Sequence, residues 1–214
     1  RFYKYLPEFG IEPWVITGSE QNGALERVIQ APAPTRRPNR KTLLGATEKA
    51  MRLWVFPVDG AVMWPLSATR TAERLFKDVP IQAIISTFPP VNAHMTAARL
   101  HKRFKLPWIA DFRDPLAGRP PATGLPNRVN AFLEQRYMND ATAVIAVSDV
   151  VRDEWRARYP QHSHKFYVLW NGYDPAEDLF ALPMPPRKQH VMVHAGNMYW
   201  GRDPGLILRG LDRL

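Results

Sequence analysis

The stretch "PWIADFRDPLAG", Pro107 to Gly118, decides how the chain is read. It starts as a buried strand, Trp108-Ile109-Ala110, and turns at once to charge with Asp111, Arg113 and Asp114. An apolar run without alternation is how a strand of a parallel sheet reads when helices cover both its faces. Similar short runs recur as "WVIT" (14–17), "RVIQ" (27–30), "IQAIIS" (81–86), "ATAVIAVS" (141–148), "KFYVLW" (165–170) and "HVMVHAG" (190–196). Between them, 41–56, 68–77, 91–105, 126–139, 149–158 and 203–214 read as helices. Strands alternating with helices long enough for crossovers predict an α/β fold with a doubly wound parallel sheet.

In such sheets ligands bind outside the carboxyl ends of the strands. Polar residues gather at that end of strand after strand. Ser86-Thr87-Phe88-Pro89-Pro90-Val91-Asn92 follows the 81–86 run, and Asp111-Phe112-Arg113-Asp114 follows Trp108 to Ala110. Ser148-Asp149, Asn171-Gly172-Tyr173-Asp174, and Gly196-Asn197 with Arg202-Asp203 close the series. Five consecutive strand ends agree, so "DFRDP" is expected to line a cleft. Three charges at a buried strand end call for a partner, although a local ion pair would satisfy part of that need. Ser148 reads first as the N-cap of helix 149–158. Asn171-Gly172 stands equally as a turn. Gly196 opens a strand–loop–helix unit whose helix N-terminus suits an anion.

The chain has 214 residues, 45% of them hydrophobic, with seven tryptophans, which is the composition of a folded globular protein. It has no cysteine, which excludes disulfides, cysteine nucleophiles and thiolate metal sites. Lys and Arg number 29 against 20 Asp and Glu, a net charge of +9 that attracts phosphates, anionic lipids or nucleic acid. A nucleic-acid partner would need a recognisable module, and none is read here. No apolar run approaches the roughly 20 residues of a membrane span. Arg1 starts within an apparent helix and the last residues stop in a helical pattern, so a longer parent chain is expected. Prolines cluster at 31–38, 115–126 and 183–186, and the last cluster marks a linker near 182–188. The expected domains are therefore 1–184 and 185–214, the second holding one strand, one loop and one helix.

His94 falls early in helix 91–105, at the edge of the expected cleft, and is a candidate general base. His162 and His164 have an H-x-H spacing but no carboxylate in a ligand pattern, so no metal site is assigned. "TRRPNRK" (35–41) followed by the aromatic-rich 50–66 segment suits a membrane-surface patch, while core packing of those aromatics is the simpler reading.

Taken in order, these positions resemble family 4 glycosyltransferases, in a bacterial subgroup with a D-F-R-D-P signature. The matching stretches are "KYLPEFGIEPWVIT" (4–17), Asp59 and Trp64, "STFPPVNAH" (86–94), "LPWIADFRDP" (106–115), "AVIAVS" (143–148), "NGYD" (171–174) and "HAGNMYWGRDP" (194–204). The resemblance implies a GT-B architecture of two Rossmann-like domains. The acceptor-side domain would lack its first strand here, and the donor-binding domain would be only begun. It implies a retaining glycosyltransferase that moves a sugar from a nucleotide-sugar to a glycan or lipid-linked acceptor in cell-envelope or exopolysaccharide synthesis. No metal or other cofactor is implied. The setting implied is cytoplasmic, peripheral at the inner membrane face through 35–66. Gly196 and Arg202 match the family's diphosphate-contacting glycine and basic residue, and Asn197 stands where many relatives have arginine. Asp111 and Asp114 would orient the acceptor or take its proton, with Thr87, Asn92 and Arg113 on the acceptor side. Many relatives carry a histidine where this chain has Thr87-Phe88; either His94 compensates or the acceptor proton passes to the leaving phosphate. The stretch alone is expected to be inactive. A non-catalytic sugar- or partner-binding module and a GT-B-type epimerase remain alternatives.

Overall fold

Short β-branched and aromatic runs pair in parallel throughout the computed structural model, which describes residues 2–18, 25–32, 64–118, 124–174, 192–196 and 203–212. The expected helix 41–56, the basic and aromatic patch up to residue 63, the linker 182–188, Asn197 and Arg202 lie outside these residues. Two compact units are present, Arg1–Gly172 and Tyr173–Leu214.

The first unit is α/β. Strands β1 (Val15–Thr17) and β2 (Val28–Gln30) form one parallel pair. Strands β3 (Ile84–Phe88), β4 (Trp108–Phe112), β5 (Ala143–Ala146) and β6 (Phe166–Val168) form a second parallel sheet in sequential order. The helices are α1 (Phe2–Tyr5), α2 (Trp64–Asp78), α3 (Val91–Phe104), α4 (Gly124–Asp140) and α5 (Asp149–Arg158).

Alternation along the strands sorts side chains between two faces. Phe88, Trp108, Ala110, Phe112, Val144, Ala146 and Phe166 enter one core with Ala97 of α3, Tyr137 and Met138 of α4, and Trp155 of α5. The opposite face carries Ile85, 42% exposed, and Tyr167, 58% exposed.

Helix α2 begins at Trp64, four residues before the start expected from the sequence at 68. Pro65 suits the first helical turn, and Pro65, Ala68, Thr69, Ala72 and Leu75 make a buried stripe at helical spacing. The Trp64 indole donates to the Ala31 carbonyl at 3.2 Å. Gly18, just after β1, lies so close that a Cβ would come within 2.7 Å of the Trp64 indole nitrogen. Trp64, the described end of the 35–66 patch together with Pro65 and Leu66, therefore serves packing.

Helix α3 ends where Lys105 adopts the left-handed conformation at φ 58° and returns its N–H to the His101 carbonyl. Lys165 closes α4 by donating to the carbonyls of Asn139 and Ala141, both at 3.0 Å.

In the second unit, residues 192–195 are not a strand, against the expectation for "HVMVHAG". A strand exists only through a neighbour, and the described residues of this unit offer none. Helix α6 spans Gly205–Leu211.

Candidate functional site at the ends of β3 and β4

The register of β3 against β4 pairs Ser86 with Ala110, Thr87 with Asp111 and Phe88 with Phe112. One residue of offset separates two polar groups. Ser86 points to the core, and Thr87 with Asp111 points to the other face.

On the core side, Trp108 Nε1 donates to Ser86 Oγ at 2.8 Å, and Ser86 Oγ lies 2.8 Å from His94 Nδ1. The Ser86 hydroxyl thus joins the indole of Trp108 to the imidazole of His94. His94 has no exposed surface and is ringed by Phe88, Trp108, Phe112 and Tyr137, with the Phe112 ring centroid at 4.3 Å. Burial lowers its pKa to about 3, so the ring is neutral. The sequence reading placed His94 at the cleft edge; the structure turns it inward because position 94 falls on the same stripe as Val91 and Ala97.

On the other side, the Thr87 hydroxyl donates to the Asp111 carboxylate, and the Arg113 guanidinium lies near enough to act on its charge. Asp111 is 8% exposed. Burial raises its pKa above the ordinary value, and the Thr87 hydrogen bond and Arg113 oppose that rise in part. Arg113 folds back on the end of β3: its N–H donates to the Phe88 carbonyl at 3.1 Å, and Nη2 to the Pro89 carbonyl at 3.3 Å. Its side chain is otherwise exposed, a cation presented at the strand ends. Asp114 lies half-buried in the same turn. Asn92 is buried in the first turn of α3. The structure thus brings Thr87, Asp111 and Arg113 together and sets His94 apart from them. A buried carboxylate with a raised pKa, a hydroxyl beside it and a cation at the rim can hold a polar ligand and exchange a proton with it.

Ser148 is the N-cap of α5, its side chain accepting from the Val151 N–H at 3.4 Å. His162 Nε2 is engaged with Asn139 Oδ1 at 2.7 Å. No group of three or more His, Asp or Glu suited to a metal occurs among the described residues. In the second unit, Gly196 holds φ 140°, a conformation that favours glycine.

The sequence reading does not mark Glu134, yet it has no exposed surface and binds the loop that follows Asp111-Phe112-Arg113-Asp114. The signal is a lone carboxylate on the apolar stripe of α4, three and four residues before the buried Tyr137 and Met138.

The sequence model of the family described as Glycosyltransferase Family 4 matches residues 1–177. The chain belongs to this family. Family 4 glycosyltransferases act on a sugar donor and an acceptor, and the α/β unit with its parallel sheets is consistent with a Rossmann-like glycosyltransferase domain. No curated protein matches the chain by sequence. Among the described residues no helix is long and apolar enough to cross a membrane.

Proposed function

We propose that the chain serves a retaining glycosyltransferase that moves a sugar from a nucleotide-sugar to an acceptor hydroxyl. The acceptor is held at the ends of β3 and β4. The observation that carries this reading is the Thr87–Asp111–Arg113 cluster: a buried carboxylate whose pKa is raised, standing at a strand end in a family 4 chain. Asp111 accepts the hydrogen bond of the acceptor hydroxyl and takes its proton as the new bond to the anomeric carbon forms. The bond from that carbon to the diphosphate breaks, and the diphosphate leaves with its electron pair. Arg113 and Asp114 orient the acceptor, with Thr87 and Asn92 shaping the pocket behind it. His94, neutral and enclosed, supports the ends of β3 and β4 from the core.

Residues 1–184 form the acceptor-side domain and 185–214 begin the donor-binding domain. Gly196, Asn197 and Arg202 meet the donor diphosphate there, and no metal or other cofactor takes part. A glycan or lipid-linked acceptor of cell-envelope synthesis fits the net charge of +9. The same charge supports a position at the cytoplasmic membrane face, with the basic part of 35–66 as the contact.

The test is a thermal-shift titration of the intact protein with a panel of nucleotide-sugars, repeated on Arg202→Ala. Ligand at a hundredfold excess over its dissociation constant stabilises by about 2.7 kcal/mol. A shift with one donor, lost in Arg202→Ala, supports the reading. A well-folded protein that shifts with none of them overturns it in favour of a binding module.

A further inference from the structure

Glu134 of α4 is the one carboxylate without exposed surface among the described residues. Its Oε2 accepts from the backbone N–H groups of Leu116 at 2.9 Å and Ala117 at 2.8 Å. Its Oε1 accepts from Arg158 Nη1 at 2.8 Å and from the Tyr159 hydroxyl at 3.0 Å. All four partners are donors, so both oxygens must be acceptors, and only a carboxylate meets that demand. An amide of the same shape would turn a donor toward donors at one end.

What the clasp holds matters. Leu116 and Ala117 stand two and three residues after Asp114, and Leu116 itself is part of the core. Two turns earlier on α4, Asn127 Oδ1 accepts from the next amide, Gly118 N, at 3.2 Å. Side chains of one helix thus take three successive N–H groups of the loop. Arg158 ends α5 and Tyr159 is its C-cap, so the same carboxylate also fixes the far end of the helix that follows β5. Asp111 sits in β4, and the loop after it, which carries Arg113 and Asp114, is pinned at its start by Arg113 N–H on Phe88 and at its end by Glu134.

We propose that Glu134 is a positioning residue for the acceptor site, clasping the loop after β4 so that Arg113 keeps its place beside Asp111. This rests on the reading of Asp111 and Arg113 as acceptor-side groups. It differs from a merely structural role in one respect: loosening the clasp must be felt at Asp111, not only at Leu116.

The experiment needs no substrate. Backbone amide exchange and the carboxyl titration of Asp111 are followed by NMR in the full chain and in Glu134→Gln. Exchange at Leu116 and Ala117 is expected to quicken about tenfold or more as the local opening energy falls. The Asp111 midpoint is expected to move further above the ordinary carboxylate value as Arg113, whose charge opposes that rise, shifts away. Arg158→Met, which removes one exposed donor, serves if Glu134→Gln does not fold, and gives smaller changes in the same directions. Fast exchange at Leu116 and Ala117 with an unmoved Asp111 titration makes Glu134 a staple only and overturns the proposal. Unchanged exchange at those amides also overturns it. Sugar transfer that survives Asp111→Asn in the intact protein would instead remove the acceptor-side reading, leaving the clasp itself in place.

Discussion

Two polar clusters lie back to back on the same pair of strands. Ser86, Trp108 and His94 face the core; Thr87, Asp111 and Arg113 face away from it. Each contains a hydroxyl on β3 and a titratable group that burial has perturbed, and the perturbations run in opposite directions. Desolvation disfavours the charged form in both, so the histidine pKa falls and the aspartate pKa rises. The first becomes an inert neutral ring. The second becomes a carboxylate poised to take a proton. What separates a packing group from a candidate catalytic one here is one residue of strand register and the access that goes with it.

The largest expected effect is on the outward cluster. Asp111→Asn should lower transfer by about 100-fold or more, the range for losing a positioned proton acceptor. Its melting temperature should hold or rise slightly, because ionised Asp111 is disfavoured where it lies. Rate and melting curves of the same preparation decide this, and a large loss of stability would make Asp111 a structural group.

The inward cluster should give the opposite pattern. His94→Ala opens a cavity among four aromatic rings and strands the Ser86 hydroxyl, costing about 2–4 kcal/mol in denaturant unfolding. Transfer measured at a temperature where the variant is folded should fall far less than in Asp111→Asn.

Acid should also tell the two apart. The folded-state pKa of His94 is depressed from 6.5 to about 3, so its contribution to stability is full above 6.5 and is lost as pH falls toward 3. Asp111, raised from 3.8, contributes stability below that value and loses it as pH rises through its folded pKa. Stability that falls with acid below pH 6.5 in the parent chain, and falls less in a folded His94→Gln variant, confirms the first. An acid limb of the transfer rate lying above the ordinary aspartate range, absent in Asp111→Asn, confirms the second.

The smallest effects come from the paired hydroxyls. Ser86→Ala leaves the Trp108 N–H without its acceptor and should cost about 1–3 kcal/mol of stability. Thr87→Val removes a hydrogen bond that holds the Asp111 pKa down, so the acid limb should move to higher pH while stability changes by about 1 kcal/mol or less. Equal effects of the two on stability would erase the distinction between the faces.

Much of this fold is legible from strand composition. The runs "WIADF" and "KFYVLW" and the N-cap Ser148 predict β4, β6 and the start of α5, because apolar and aromatic character and capping chemistry are local properties. The site is legible to the extent that Thr87 and Asp111 are the last residues but one of their strands and Arg113 follows β4 directly. His94 is not, since which way a helix turns one residue depends on the sheet it packs against. Glu134 escapes for the same reason: its partners are backbone N–H groups and a helix end 17 to 25 residues away in sequence, and only the fold collects them. The run 190–196 promises a strand by its apolar composition, and its described part, 192–195, finds no neighbour to pair with among the described residues.

The sequential order of β3, β4, β5 and β6 bears on how the chain reaches this state. Each new strand lies beside the one made just before it, so no pairing in this sheet waits for a distant part of the chain. Each pairing closes over one intervening connection, at less entropic cost than pairing with a remote strand. On the ribosome the sheet can therefore grow strand by strand in the order of synthesis, with Asp111 set down in its second strand before the residues after Gly172 have emerged.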